Sequence, residues 1–309
     1  MNNTATSTQS LTLSLFAVCG AGILWGTGAL VVDILVTKHG FTPENISFWR
    51  FLIGDIVLIT IFGRKIFWHK LKPLLLTVVL AGIAMAGYVL LWFLGIEQIG
   101  PAIPTLIALC LPPVIVTIIT VLKGQEKVDL KLILVLFGAI LGTILIILKD
   151  DDASTFLNNS NNLLLGVAYS LGSAFLYAGF SMTSGRISKA LGAGPATTCL
   201  TIVATLVMSL FAFSQPFIWP NQLPPQTWFL YLGVVTAALA LLAFSWGAVR
   251  LKPTTLTVGT LLEPLTAVVL SAFLLDQAFG ISQWIGSALL LSSIWLLGNR
   301  TKIKMEPIS

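Results

Sequence analysis

Hydrophobic residues fall into ten consecutive runs of helical length, at residues 11–36, 46–62, 74–96, 103–122, 132–148, 163–185, 196–213, 228–249, 254–275 and 281–297. Polar residues collect in the short segments between them. A helix needs roughly 20 apolar residues to cross a hydrocarbon core, so each run predicts one transmembrane helix. The first run is too long, and lacks the basic flank, for a cleavable signal peptide, and is read as the first span. The fold class that follows is an all-α polytopic membrane protein.

The runs repeat. Adding 152 to a position in residues 11–148 lands on its twin in residues 163–300: Gly40 on Gly192, Pro43 on Pro195, Gly95 on Gly247, Pro101 on Pro253, Leu109 on Leu261 and Pro112 on Pro264. Prolines are scarce enough for three matches at one ungapped shift to count. Residues 1–10 and 301–309 are then short tails, and residues 149–162 are the linker between two five-helix repeats. Five is odd, so the second repeat is expected to enter the membrane from the opposite face. Such inverted repeats are related by a pseudo-two-fold axis in the membrane plane, with half-sites meeting near the midplane. Alternating access is the function that this arrangement suits.

Charge changes the picture in one respect. A net charge of +5 and a pI near 9.2 would suggest a nucleic-acid partner in a soluble protein, but 56% of the residues are hydrophobic, 9% are charged and the mean hydropathy is +0.96. Lipid is the solvent for such a chain, and nucleic acid is not an expected partner. The basic residues sit at the ends of the runs. With the N-terminus in the cytoplasm, fourteen lysines and arginines face inward and only Lys38 and Lys149 face outward. The positive-inside rule therefore places both termini in the cytoplasm, the host being a bacterial inner membrane. The linker holds Asp150, Asp151 and Asp152, a cation site or a solvated acidic loop; the loop is favoured because no Gly or Glu continues a calcium-binding pattern.

Several short strings carry a resemblance: Trp25-Gly26, Arg50-Phe51, the stretch 95–101, Pro112 ahead of a turn with Gly124 and Glu126, and Leu262-Glu263-Pro264. In their order and spacing across both halves they resemble the drug/metabolite transporter superfamily, EamA branch. The resemblance implies ten helices in two inverted five-helix repeats. It also implies a secondary transporter, an exporter, of small metabolites such as amino acids, amines, nucleobases or xenobiotics. The chain departs from the pattern at Pro112-Pro113, which has no preceding Glu, and at Asp276-Gln277, where Gly-Glu is usual.

Ionisable residues at membrane depth are costly and need a reason. Glu263 lies about ten residues into the ninth run, near the midplane at 1.5 Å per residue, and is a candidate for binding a substrate amine or a proton. Its alternative is a hydrogen bond to backbone freed by Pro264. Asp55, in the middle of the second run, is the other proton-coupling candidate, or else a polar bond to another helix. Arg50, five residues earlier, is expected to snorkel outward or to meet Asp33 or Glu97. Tyr88 and Trp92 are spaced i, i+4 on one helix face, and the offset carries Trp92 onto Phe244 and Trp25 onto Tyr177. If the helices that hold them line a central cavity, as the resemblance implies, Trp25, Tyr88, Trp92, Tyr177, Phe244 and Glu263 form an aromatic cage with a carboxylate at one side. Such a cage holds an organic cation by cation–π contact or a flat ring by stacking.

Other residues call for no chemistry. Trp68, Trp219 and Trp228 sit at helix ends and read as interface anchors. Gly138 and Gly142 have the spacing for close helix packing, either within the bundle or at a homodimer face. Cys19, Cys110 and Cys199 lie within apolar runs without motif spacing, so neither a disulfide frame nor a metal site is expected. No phosphate loop occurs, which argues against ATP drive within the chain, and no cofactor is expected. His39 and His69 fall in segments on opposite sides of the membrane, which leaves an intramembrane enzyme the weakest alternative, behind a channel or a membrane sensor.

Overall fold

A computed structural model describes residues 2–99, 102–147, 160–214, 219–274 and 280–303. The linker aspartates and the Asp276-Gln277 pair lie outside these residues, and so do the side chains of Asp33 and Glu97. We label the main helices α1 (Asn2–His39), α2 (Pro43–Phe62), α3 (Leu75–Ile99), α4 (Ala102–Leu122), α5 (Leu130–Ile147), α6 (Ser160–Leu191), α7 (Ala193–Ala212), α8 (Pro225–Ala248), α9 (Pro253–Gly259 and Leu262–Leu274) and α10 (Ile281–Ile303). No strand occurs among the described residues. Helices are the expected solution in lipid, where backbone amides must be satisfied within their own segment.

Among the described residues, eight helices are long and apolar enough to cross a membrane, and α10 adds a shorter apolar stretch over Ile281–Leu297. The ninth run, expected as one helix, is divided at Thr260 and Leu261. Pro264 contributes to the division: its ring has no N–H to donate and crowds the carbonyl four residues back, that of Thr260. The outer surface is apolar, with Leu76, Leu122, Leu164, Leu210 and Trp295 exposed, as a lipid-facing surface requires. Trp68 and Trp219 are exposed as well, while Trp228 packs against the core.

Both halves open with the same turn. Gly40 (φ +68°) ends α1, its N–H donating to the Val36 carbonyl and that of Phe41 to the Leu35 carbonyl; Thr42 and Pro43 then start α2. Its twin Gly192 (φ +89°) ends α6, and Pro195 lies in the first turn of α7. Both glycines sit in the left-handed region that other L-residues avoid. The repeated glycine and proline are thus a repeated helix-stop signal.

The helix packing is itself symmetric under exchange of the halves. α3 packs on α6 as α8 packs on α1; α4 on α6 as α9 on α1; α2 on α8 as α7 on α3. The self-paired contacts, α2 with α7, α5 with α10 and α4 with α9, are those expected on a two-fold axis. At the second, backbones nearly touch: a Cβ on Gly142 would lie 2.7 Å from the Gly286 carbonyl oxygen. Gly138 and Gly142 are therefore packed inside the bundle against α10. The symmetry is incomplete: α8 also packs on α6 and α9 on α5 without a comparable twin contact, and one charged contact departs from it. In the turn after α4, buried Glu126 accepts a hydrogen bond from Thr254 (2.8 Å) at the start of α9, and Lys252 stands 3.8 Å away. The twin positions of Glu126 and Lys252 are Ala278 and Gly100, which have no charge to pair.

Candidate functional site

A cavity of about 60 Å³ lies where both halves meet. By the same measure a water molecule needs roughly 10–15 Å³, so the space holds several waters or a small organic group. α1 lines it with Trp25, α2 with Arg50, α3 with Tyr88 and Trp92, α4 with Ala108 and Leu109, α6 with Ser173 and Tyr177, α8 with Leu232 and Thr236, and α9 with Glu263.

The break in α9 positions the acid. Gly22 and Gly26 let the α1 backbone lie against the broken segment; a Cβ on Gly22 would come within 2.9 Å of the Thr260 carbonyl oxygen. Tyr177 shares a hydrogen bond of 2.9 Å with Thr260 at the break itself, so the hydroxyl of one cage residue is tied to the turn that sets Glu263. Among the described residues the Glu263 carboxylate has no ion pair within 4.0 Å, and it shares the cavity with Arg50, Tyr88 and Tyr177.

A second irregularity positions the base. Residues Leu232–Leu239 of α8 form a π-helical stretch, a widened turn of the kind often found at functional sites. The carbonyl of Thr236 within it accepts the indole N–H of Trp25 at 2.9 Å and an Arg50 terminal N–H at 3.4 Å. Arg50 Nε is buried and has no hydrogen-bond partner. Arg50 is within electrostatic reach of Glu263 and Tyr88, although it forms no salt bridge with Glu263. A gap therefore separates two opposite charges across the cavity.

The aromatic walls are well fixed. Tyr88 and Tyr177 lie 5.0 Å apart, centroid to centroid, and the Trp92 indole donates to Thr105 on α4 at 3.0 Å. Ser173 donates to the Tyr88 carbonyl at 2.7 Å, which locks α6 to α3 beside the cavity.

Five of the six residues expected to form the cage thus line one cavity: Trp25, Tyr88, Trp92, Tyr177 and Glu263. The sixth, Phe244, does not. It is fully buried one layer behind, 5.8 Å from Trp25 and stacked on Phe180 at 5.5 Å. Its helix carries the right face to the seam, but Trp25 and Phe180 fill the space in front of it. Asp55 is also away from the cavity: it is buried between α2 and α7, where Thr205 donates to its Oδ2. Arg50 lines the cavity, whereas the sequence predicts that it snorkels outward or meets Asp33 or Glu97, whose side chains lie outside the described residues. A signal for this exists, since Arg50 is the one basic residue of seventeen that lies within an apolar run.

The profile of the EamA-like transporter family matches the chain twice, over residues 12–148 and 164–299. The chain belongs to the EamA-like transporter family. Among its relatives, an uncharacterized transporter of Bacillus subtilis, YwfM, is 24% identical over 92% of this chain and 93% of its own length. An uncharacterized inner membrane transporter of Salmonella typhimurium, YicL, is 22% identical over 90% of this chain and 92% of its own length. An uncharacterized transporter of Archaeoglobus fulgidus is 24% identical over 90% and 93%. One protein of known crystal structure shares the fold, with a TM-score of 0.77 at 18% identity, covering 92% of this chain and 96% of that one. The EamA-family halves bracket the cavity, and each supplies part of its wall. The chain is accordingly an integral membrane transporter protein of all-helical, two-repeat architecture.

Proposed function

We propose that this protein is a secondary transporter that exports small metabolites, of the kind of amino acids, amines or nucleobases, through the central cavity by alternating access. The observation that carries the reading is the cavity itself, built from both halves and holding, among the described residues, a carboxylate without an ion pair. A buried charge left without a partner is costly, and a site that receives a ligand is the economical reason to keep one. The symmetric packing supports the mechanism: two halves that dock in equivalent ways can exchange conformations, so that the seam opens to either side in turn. With five helices per half, the second half begins on the opposite face, which suits inverted topology. The lysine and arginine bias favours cytoplasmic termini in an inner membrane. Glu263 is the proposed site of substrate amine or proton binding, and Asp55 is a second proton-coupling candidate.

Counterflow in proteoliposomes tests the reading. A carrier loaded with unlabelled substrate takes up label transiently against its gradient and saturates. Flux that rises linearly with concentration and shows no counterflow would make the protein a channel. Labelling of single cysteines added at each end tests the topology, with both expected on the cytoplasmic face.

A further inference from the structure

We infer that the face of α6 carrying Ser181, Ser184 and Ser188 is the wall of a second cavity at the opposite end of the bundle, closed in this structure and lined by hydroxyls in place of charges. The inference rests on the transporter reading for the exchange between two states.

The cavity described above is off-centre. Its residues lie in the first half of α2, α4 and α8 and the last half of α1 and α3, toward the end of the bundle that carries the α1–α2 turn. It separates α1 from α3: one gives it Trp25, Ala29 and Val32, the other Tyr88 and Trp92. The twin helices, α6 and α8, do pack together, and a Cβ on Gly185 would lie 2.7 Å from the Ala248 carbonyl oxygen. A parted pair and a closed twin pair are the two sides of one exchange, because inverted repeats alternate by rocking one repeat against the other. In the other state α1 closes on α3 and α6 parts from α8.

The repeat names the residues that this exchange uncovers. The offset carries Ala29 onto Ser181, Val32 onto Ser184 and Trp92 onto Phe244. Ser181, Ser184 and Phe244 are 0% exposed, whereas Ala29 and Val32 are half-buried at the cavity edge. Phe244 stands behind the first cavity because it belongs to the wall of the second. The serine hydroxyls are an independent sign. A helical serine can return its hydroxyl to the carbonyl four residues back, as Ser170 does to Gly166. Ser184 and Ser188 have buried hydroxyls with no hydrogen-bond partner among the described residues. An unpaired hydroxyl in a dry interior is destabilising, and a face that is wetted in the other state is a reason to keep two. Arg50 and Glu263 have Ile202 and Leu111 as twins, so the uncovered wall adds hydroxyls and rings but no charge.

The closed end is also fastened. Glu126, Thr254 and Lys252 join the α4–α5 turn to the start of α9 there, while Ala278 and Gly100, the twins of Glu126 and Lys252, offer no such fastening at the other end. Breaking the pair therefore favours the second state.

Cysteine accessibility of the full chain in membrane vesicles tests this, with a charged, membrane-impermeant maleimide and Cys19, Cys110 and Cys199 replaced by alanine. Lys123→Cys and Lys38→Cys, at exposed positions, mark the two faces. Ser181→Cys and Ser184→Cys should react from the Lys123 face, and Val32→Cys from the Lys38 face. Each should react about tenfold or more faster than lipid-facing Phe175→Cys, since a thiol in apolar surroundings stays protonated and inert. Lys252→Gln should raise the rate at Ser184→Cys and lower that at Val32→Cys by about two- to fivefold, the change that loss of a partly exposed ion pair makes in a two-state ratio. General loosening would raise both rates. Where the alanine background fails to fold, the wild-type chain serves instead, its three buried thiols giving the baseline. A serine face that stays unreactive in both the parent and the Lys252→Gln variant, or that reacts from the same side as Val32→Cys, would overturn the inference. Counterflow with an unreactive serine face would leave transport and remove the second cavity, whereas a reactive serine face without counterflow would keep the second cavity and remove the transport reading.

Discussion

Helices α4 and α9 occupy equivalent places in the two repeats, yet they do opposite things. α4 carries Pro112 and Pro113 inside a helix that stays continuous, and gives the cavity Ala108 and Leu109. α9 carries Pro264 at the twin of Pro112, breaks at Thr260 and Leu261, and gives the cavity Glu263. The neighbours of the proline account for the difference. Thr260, twin of Ala108, has a hydroxyl that engages Tyr177, and Glu263 stands where α4 has Leu111. A duplicated frame thus supplies symmetric backbone architecture, while single side chains supply a polar end and an apolar end. Glu126 and Lys252 show the same division outside the cavity.

The largest expected effect comes from erasing the difference. Glu263→Gln should reduce counterflow to background while the protein still purifies as a folded species, whereas Leu111→Gln on the twin helix should retain most of the activity. Equal rates in the two variants would mean that the acid plays no part. Next in size is the contrast between the cage and the layer behind it. Phe244→Ala removes a fully buried ring and should cost about 3–5 kcal/mol of stability, seen as a lowered melting temperature with ligand affinity unchanged. Trp92→Ala or Tyr177→Ala should instead weaken ligand binding about tenfold, on the order of the 1–2 kcal/mol that an aromatic or cation–π contact contributes. Smaller again, Thr205→Val withdraws the hydroxyl from Asp55 and should cost about 1–3 kcal/mol in stability. That variant should leave ligand affinity intact in a thermal-shift titration, because the α2–α7 contact is away from the cavity. Trp228→Ala should change binding less than twofold; a loss as large as that of Trp92→Ala would dissolve the distinction between cage and scaffold.

What can be read from the chain in advance follows from what is written in one dimension. The two halves and the repeated Gly40 and Gly192 are carried by spacing, because the offset of 152 compares like positions in like helices, whereas the inward place of Trp25 and Tyr177 follows from the family resemblance and that of Glu263 from its charge within an apolar run. Depth could also be read, since counting residues along a run measures distance through a bilayer. Rotation of each helix about its own axis could not. Arg50 and Phe244 show the consequence: one turns into the cavity and the other is screened from it, and both results depend on which neighbour arrives first. Widened turns are equally silent, because Leu232–Leu239 has the composition of any apolar helix. The break in α9 had a visible cause in Pro264, but Pro112 and Pro113 leave α4 unbroken, so a proline alone did not decide the matter.

The acceptor that aims Arg50 is the carbonyl of Thr236, a main-chain atom. Replacing the threonine side chain leaves that oxygen where it is, so an alanine scan would pass over the residue that orients the positive end of the cavity. Only a change to the peptide linkage itself would register, either an ester in place of the amide after residue 236 or a one-residue deletion that returns the wide turn to ordinary pitch.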